Sequence, residues 1–189
     1  MSFENLLQRL QALDAVLSSE GTAKRISAAG AFAAIGEYKN RIFVDGLATD
    51  GSAIGQYSTR PYYQNPNALI GVPTGGVSPQ GRNGSATFKN GKPKKTRYLP
   101  GGYAELRELT GRQSNTVDLN FSGSLERSVM VTQTDSVASI TYTNEFEAEK
   151  MEGNEIRFGK TISEPSEDER QIGINAAAEE LRTILNEID

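Results

Sequence analysis

The most concentrated chemistry in this 189-residue chain is the run Lys89-Asn-Gly-Lys92-Pro-Lys94-Lys95-Thr-Arg97, followed at once by Tyr98. Five cations this close together suit the neutralisation of successive phosphates, and an adjacent aromatic ring suits stacking on a base. The same run is equally suited to meeting carboxylates on a neighbouring subunit, or to standing in solvent. The chain carries a formal net charge of -4 and shows no nucleic-acid fold motif, so a solvated or protein-facing loop is the favoured reading. DNA passing nearby remains compatible with it.

Other candidate motifs are weaker. Asp45-Gly46 and Asp50-Gly51-Ser52 offer oxygen ligands, but their spacing is not that of an EF-hand loop and no bidentate glutamate follows. They read as two turns. The glycines at 75, 76, 81 and 84 lack the Gly-Lys-Ser/Thr ending of a phosphate loop. Glu145, Glu147, Glu149 and Glu152 fit a solvated helix face better than a hard-metal site. Histidine and cysteine are absent. Ser-His-Asp triads, Cys-His pairs and His-ligated metals are therefore ruled out, while a carboxylate-only site or a Ser-Lys pair stays formally open. An enzyme is therefore the least expected reading, and nothing in these residues singles out a catalytic residue, a cofactor site or a metal site.

The elements that must position these residues follow from apolar spacing. Phe3, Leu6, Leu7, Leu10, Leu13 and Leu17 recur at three- and four-residue steps, which predicts an amphipathic helix with Ser2 as its cap. Gly21 is expected to interrupt it and Thr22 to cap a second helix, slim with alanine, running to about Asp45 with Ala28, Phe32, Ile35, Ile42 and Phe43 near its packed face. Pro100 precedes a predicted helix over 102–112, closed by Gly111, and Leu119 to Arg127 reads as another. Alternating β-branched residues predict a hairpin over 128–134 and 137–143, turning at Thr134, Asp135 and Ser136. A short helix over 145–152, with Phe146 and Met151 as its apolar contacts and Gly153 as its stop, leads to an extended segment over 157–162. After Pro165 comes a last helix over 166–188, whose apolar stripe includes Ile174, Ala177, Ala178, Leu181, Ile184, Leu185 and Ile188. Glu167, Asp168 and Glu169 sit in its first turn, where the helix dipole favours negative charge.

Between these elements lies an unusual stretch. Residues 46–102 hold 11 of the 19 glycines and 6 of the 7 prolines, without apolar periodicity. So long a loop is uncommon inside a compact domain. Tyr57, Tyr62, Tyr63 and Tyr98 are large groups that gain from burial, so the stretch reads as an arm that orders against a neighbouring subunit. It carries seven bases against one acid, a net charge of +6. Residues 144–189 carry 13 acids against five bases, a net charge of -8. Opposite charges on separate segments point to complementarity within or between subunits. No apolar run approaches the roughly 20 residues of a membrane span, and the polar start is not that of a signal peptide, so no membrane contact is expected.

Four phrases in this order resemble a known family. They are Ile42–Ser58 (IFVDGLATDGSAIGQYS); Gly101–Val129, with Ser122, Gly123, Leu125 and Ser128 as a Ser-Gly-x-Leu-x-x-Ser phrase; a hairpin directly after it; and an acidic stretch at 147–153 followed by Phe158, Pro165 and a terminal helix. Together they are similar to the virion-morphogenesis or tail-completion (neck) proteins of tailed bacteriophages, the family of protein G of phage Mu and the minor tail protein Z of phage lambda. The long basic stretch over 46–102 departs from that pattern.

The resemblance implies a structural virion protein, located in the neck or tail and assembled in the host cytoplasm. It would form a homo-oligomeric ring, expected as a hexamer, at the head-proximal end of the tail. Its partners would be other neck, connector or tail-tube proteins, with non-specific contact to packaged DNA. A head-closure or connector ring, and a DNA-binding module using residues 89–97, are the alternatives. The expected fold is α+β in a single domain over 1–189, with long N-terminal helices and a C-terminal helix on a small antiparallel sheet and an extended arm over 46–102. The subunit or DNA contacts are assigned to Tyr57, Arg60, Tyr62, Tyr63, Lys89, Lys92, Lys94, Lys95 and Arg97. Leu106, Leu109, Leu119, Phe121 and Leu125 are assigned to packing.

Overall fold

A computed structural model describes residues 3–64 and 97–187. The fold is mixed α+β, and the chain divides into two units. The first comprises residues 1–54 and 118–189, and the second residues 55–117.

In the first unit, α1 (Phe3–Leu17) and α2 (Glu20–Asn40) are separated by Ser18 and Ser19. Gly21 was expected to make this break and Thr22 to cap α2. Instead the Ser19 hydroxyl accepts the Thr22 N–H at 3.2 Å, which makes Ser19 the cap and places Gly21 inside the helix. A π-helical turn, Arg41–Asp45, extends α2 until Gly46, at φ 67°, closes it. The wider turn coincides with the point where Arg41, Ile42 and Phe43 are all buried.

Residues 46–54, read from sequence as the start of the arm, fold back within this unit. Ile54 N–H donates to the Gly46 carbonyl at 2.8 Å, and Ala48 and Ile54 are buried. Thr49 N–H reaches the Thr161 carbonyl at 3.0 Å.

The rest of the unit starts with α4 (Ser124–Ser128), which replaces the helix expected over 119–127. Leu119 stands at φ 49° and Gly123 at φ 73°, and neither conformation continues a right-handed helix. Strands β3 (Val129–Thr134) and β4 (Val137–Tyr142) form the expected antiparallel hairpin, with Val129 opposite Tyr142 and Thr134 opposite Val137. Asp135, at φ 51°, makes the turn. Next, α5 (Glu145–Phe158) runs through Gly153, which was expected to stop it, and takes in residues 157 and 158, which were expected to be extended. Its end is Gly159, at φ 64°. Last is α6 (Glu167–Asn186), opened by a full capping box of Ser166 and Glu169.

α2 packs along α6 and against both strands of the hairpin. Where the two helices cross, Gly30 faces Gly173 so closely that a Cβ on Gly30 would lie 2.9 Å from the Gly173 carbonyl oxygen. Tyr38, Ile42, Val129, Met151, Ile162 and Ile184 are buried. Several residues expected on packed faces are instead exposed, among them Leu7, Leu10 and Leu17 of α1, Phe32 by 65%, Phe146 by 63% and Ile174 by 60%.

In the second unit, β1 (Tyr62–Gln64) pairs antiparallel with β2 (Arg97–Leu99), and α3 (Gly102–Leu109) follows. Gly102 has φ 71°, and a Cβ there would fall 2.4 Å from the Ser58 carbonyl oxygen. Only glycine permits so close an approach. Leu99, Leu106 and Val117 are buried.

Candidate assembly surface

The expected contact residues divide between described and undescribed parts of the chain. Lys89, Lys92, Lys94 and Lys95 lie outside the described residues. Arg97 is in β2 opposite Gln64, and its side chain is likewise outside them. The others fall in the second unit. The Tyr57 ring meets Tyr103 edge-on, with centroids 5.4 Å apart, and the Arg107 guanidinium lies 4.4 Å from the Tyr57 centroid. Buried Arg107 also donates to the Gln113 carbonyl at 2.5 Å. The Tyr63 and Tyr98 rings lie 5.1 Å apart across the β1–β2 ladder, with Tyr63 exposed. Arg60 is exposed beside them in sequence, and its backbone N–H donates to the Ser58 hydroxyl at 3.2 Å.

The Tyr62 hydroxyl is buried without a hydrogen-bond partner among the described residues, and burial pushes its pKa up, aided by Tyr103 and Glu105. Tyr103 and Arg107, which hold Tyr57 in place, were not assigned a role from sequence. Their spacing to Tyr57 becomes local only once Gly102 lets residues 58–60 approach α3.

In the first unit, a knot of buried polar groups fixes α2 against α6. Arg41 Nε donates to Glu169 Oε1 at 2.6 Å. The same guanidinium reaches the carbonyls of Leu47, Ile162 and Glu164 at 3.0, 3.1 and 3.0 Å. Glu169 Oε2 accepts the Ser166 backbone N–H at 2.8 Å, so one carboxylate caps its helix and neutralises the arginine. Beside this, the Tyr38 hydroxyl donates to the Ser163 carbonyl at 3.0 Å and lies 3.2 Å from the Tyr142 hydroxyl. Burial, with Tyr142 next to it, pushes the Tyr38 pKa well up. The sequence marked Glu169 as a helix-dipole acid; the Ser-x-x-Glu pattern was also a visible sign of the capping box. Nothing local pointed to Arg41.

Burial opposes ionisation of Glu155, but the N–H groups of Ser163 and Ile162 at 2.8 and 2.6 Å and the Ser163 hydroxyl at 2.9 Å outweigh it. Its carboxyl is therefore held below the usual range. A depressed folded-state pKa contributes stability that is present above the unfolded value of about 4.3 and is lost as pH falls through the folded value. Glu155→Gln should therefore flatten the acid limb of the stability curve below that pH, as followed by urea midpoints. An unchanged limb would show that the three donors contribute nothing to the pH dependence.

Next to the knot, α2, β4 and the N-terminal half of α6 wall an open apolar groove of about 930 Å³. Ala23, Ile26 and Ala31 line it from α2, Ile140 from β4, and Arg170 and Ile174 from α6. Leu17, at the end of α1, reaches its edge. Eleven large apolar side chains of this unit are exposed among the described residues, Leu7, Leu10, Leu17 and Ile174 among them. Scattered exposed leucines are ordinary, whereas a stripe of them beside a groove is apolar area of the kind that interaction surfaces use.

No helix among the described residues is long and apolar enough to cross a membrane. No family model matches this chain, and neither does any curated protein or solved structure.

Proposed function

We propose that this chain is a structural subunit of a tailed-bacteriophage virion, forming a closed ring at the neck or head-proximal end of the tail. The observation that carries the reading is the pairing of exposed apolar side chains with an open apolar groove in the first unit. Both are surfaces that an isolated copy leaves incomplete. The four resembling sequence phrases, and a chain without histidine or cysteine, support a structural over a catalytic role. Rings repeat one head-to-tail contact until it closes, so each copy must present two different complementary faces. The basic stretch before Arg97 and the acidic C-terminal segment provide opposite charges for such faces, and the basic stretch is the one suited to touching packaged DNA.

The arm can be tested without damaging the first unit. Removing residues from 46 onward would take away buried Ala48 and Ile54 and the Leu47 carbonyl that Arg41 uses. A cleaner cut replaces residues 65–96 with a short turn, because Gln64 and Arg97 are direct partners across an antiparallel ladder. The shortened chain should keep its helical circular dichroism and unfolding midpoint but fail to complete tails in a complementation assay. Infectious tailed particles from the shortened chain would refute the arm's role. Duplex-DNA binding that weakens with salt, and weakens again when Lys89, Lys92, Lys94 and Lys95 become alanine, would favour the DNA-binding module instead, provided the same variants still assemble normally.

A further inference from the structure

We propose that the apolar groove walled by α2, β4 and α6 receives α1 of a second copy of this chain. The inference rests on the ring reading and assigns the contact that builds the ring.

Three observations converge on that occupant. The first is an unpartnered helix face. Leu7, Leu10 and Leu17 lie at steps that bring them to one side of α1, and all three are exposed. The second is fit. The stripe from Leu7 to Leu17 is about 15 Å long and the α2 wall from Ala23 to Ala34 about 17 Å, at 1.5 Å rise per residue. Ala23, Ser27 and Ala31 keep the α2 wall low, so a helix can approach it closely. Helices that lie in such grooves anchor through positions spaced like these leucines.

The third is charge. Asp14 falls on the same stripe, between Leu10 and Leu17, and is exposed. At the groove, Arg170 keeps half its side chain in solvent, and its nearest carboxylates, Glu167 and Glu164, stand at 3.9 and 4.0 Å and are themselves exposed. An incoming α1 brings Asp14 to a cation that its own unit pairs only loosely. In its own subunit, α1 meets the groove only through Leu17, leaving Leu7 and Leu10 outside. Handing α1 to the next copy buries both surfaces and leaves each subunit with one helix to give and one groove to fill. That is the head-to-tail geometry a ring requires.

Because the chain has no cysteine, a Leu10→Cys/Ile174→Cys variant reports the contact directly; both positions are exposed and neither substitution disturbs the core. Under oxidation, non-reducing electrophoresis should show a ladder of linked copies ending at the ring size. Adding Asp14→Lys or Arg170→Glu should reduce the ladder several-fold, and combining the two swaps should restore it. A fast-migrating, internally linked monomer would overturn the proposal in favour of α1 filling its own groove, and absence of any disulfide would overturn it outright. Light scattering on the unmodified chain separates the two levels. A multimer without the ladder defeats this contact and leaves the ring reading standing, whereas a chain that is monomeric throughout defeats the ring reading itself.

Discussion

Replacing Glu169 with alanine is expected to destabilise the first unit by about 3–5 kcal/mol, the usual result of stripping one partner from a buried ion pair. The reason is the number of groups that depend on one carboxylate. Arg41 is almost fully buried and would keep its charge with only carbonyl dipoles to face it. The Ser166 N–H at the start of α6 would lose its acceptor at the same time. Glu169→Gln keeps the shape and some of the hydrogen bonding but not the charge, so it should cost less than alanine. Arg41→Met, which removes the cation, should be milder in the Glu169→Ala background than alone, because a double substitution leaves no unpaired charge. Urea midpoints on the four proteins measure the coupling. A loss in the double variant equal to the sum of the two single losses would show that the pair does not act as a unit. Since the knot sets α2 against α6, and both helices wall the groove, the same variants should also weaken assembly.

Gly102→Val is expected to be the most damaging single change in the second unit, at about 2–5 kcal/mol. Forcing a side chain into a left-handed backbone costs about 1–2 kcal/mol. The added Cβ also meets the Ser58 carbonyl oxygen at 2.4 Å and Thr59 and Arg60 backbone atoms at 2.6 and 2.8 Å, an overpacking cost of about 1–3 kcal/mol. Backbone has no alternative rotamer, so residues 58–60 must move away from α3. Tyr57 would then lose its edge contact with Tyr103 and its place under Arg107. The chain has no tryptophan, so its near-ultraviolet circular dichroism comes from tyrosine and phenylalanine. That signal should collapse while the far-ultraviolet helix signal largely persists. A retained tyrosine signal would mean the cluster does not depend on this close approach.

Local periodicity located most of the elements because it reports what each residue does within its own turn or strand. The alanine-rich α2, the Val129–Thr134 and Val137–Tyr142 hairpin and the helix after Pro165 follow from spacing alone. Boundaries failed at glycines that the helices carry inside them, Gly21 in α2 and Gly153 in α5. Ser19 took the cap ahead of Thr22, and Gly153 was carried through α5 because the helix continues to Gly159. Burial was legible for Ile42 and Met151 but not for Phe32, Phe146 or Ile174. Spacing shows that an apolar face exists; it does not say whether the face meets the same chain or another.

The polar knot and the tyrosine cluster were hidden for a different reason. Arg41 and Glu169 are 128 residues apart, and Tyr63 meets Tyr98 only through the β1–β2 register. No local pattern encodes either pairing. The charge segregation between residues 46–102 and 144–189 was plain from the start, but the surface drawn here as the assembly contact lies mainly in α1, α2 and α6, whose apolar stripes looked like ordinary core.

The proposed ring of identical subunits is open to direct observation. Size-exclusion chromatography with multi-angle light scattering, joined to negative-stain electron microscopy of the unmodified chain, tests it most directly. A closed ring should give one species whose mass is a whole multiple of 20.5 kDa, seen as rings on the grid, with a hexamer as the expected closure. A particle of 20.5 kDa at every protein and salt concentration, with no rings on the grid, would contradict it.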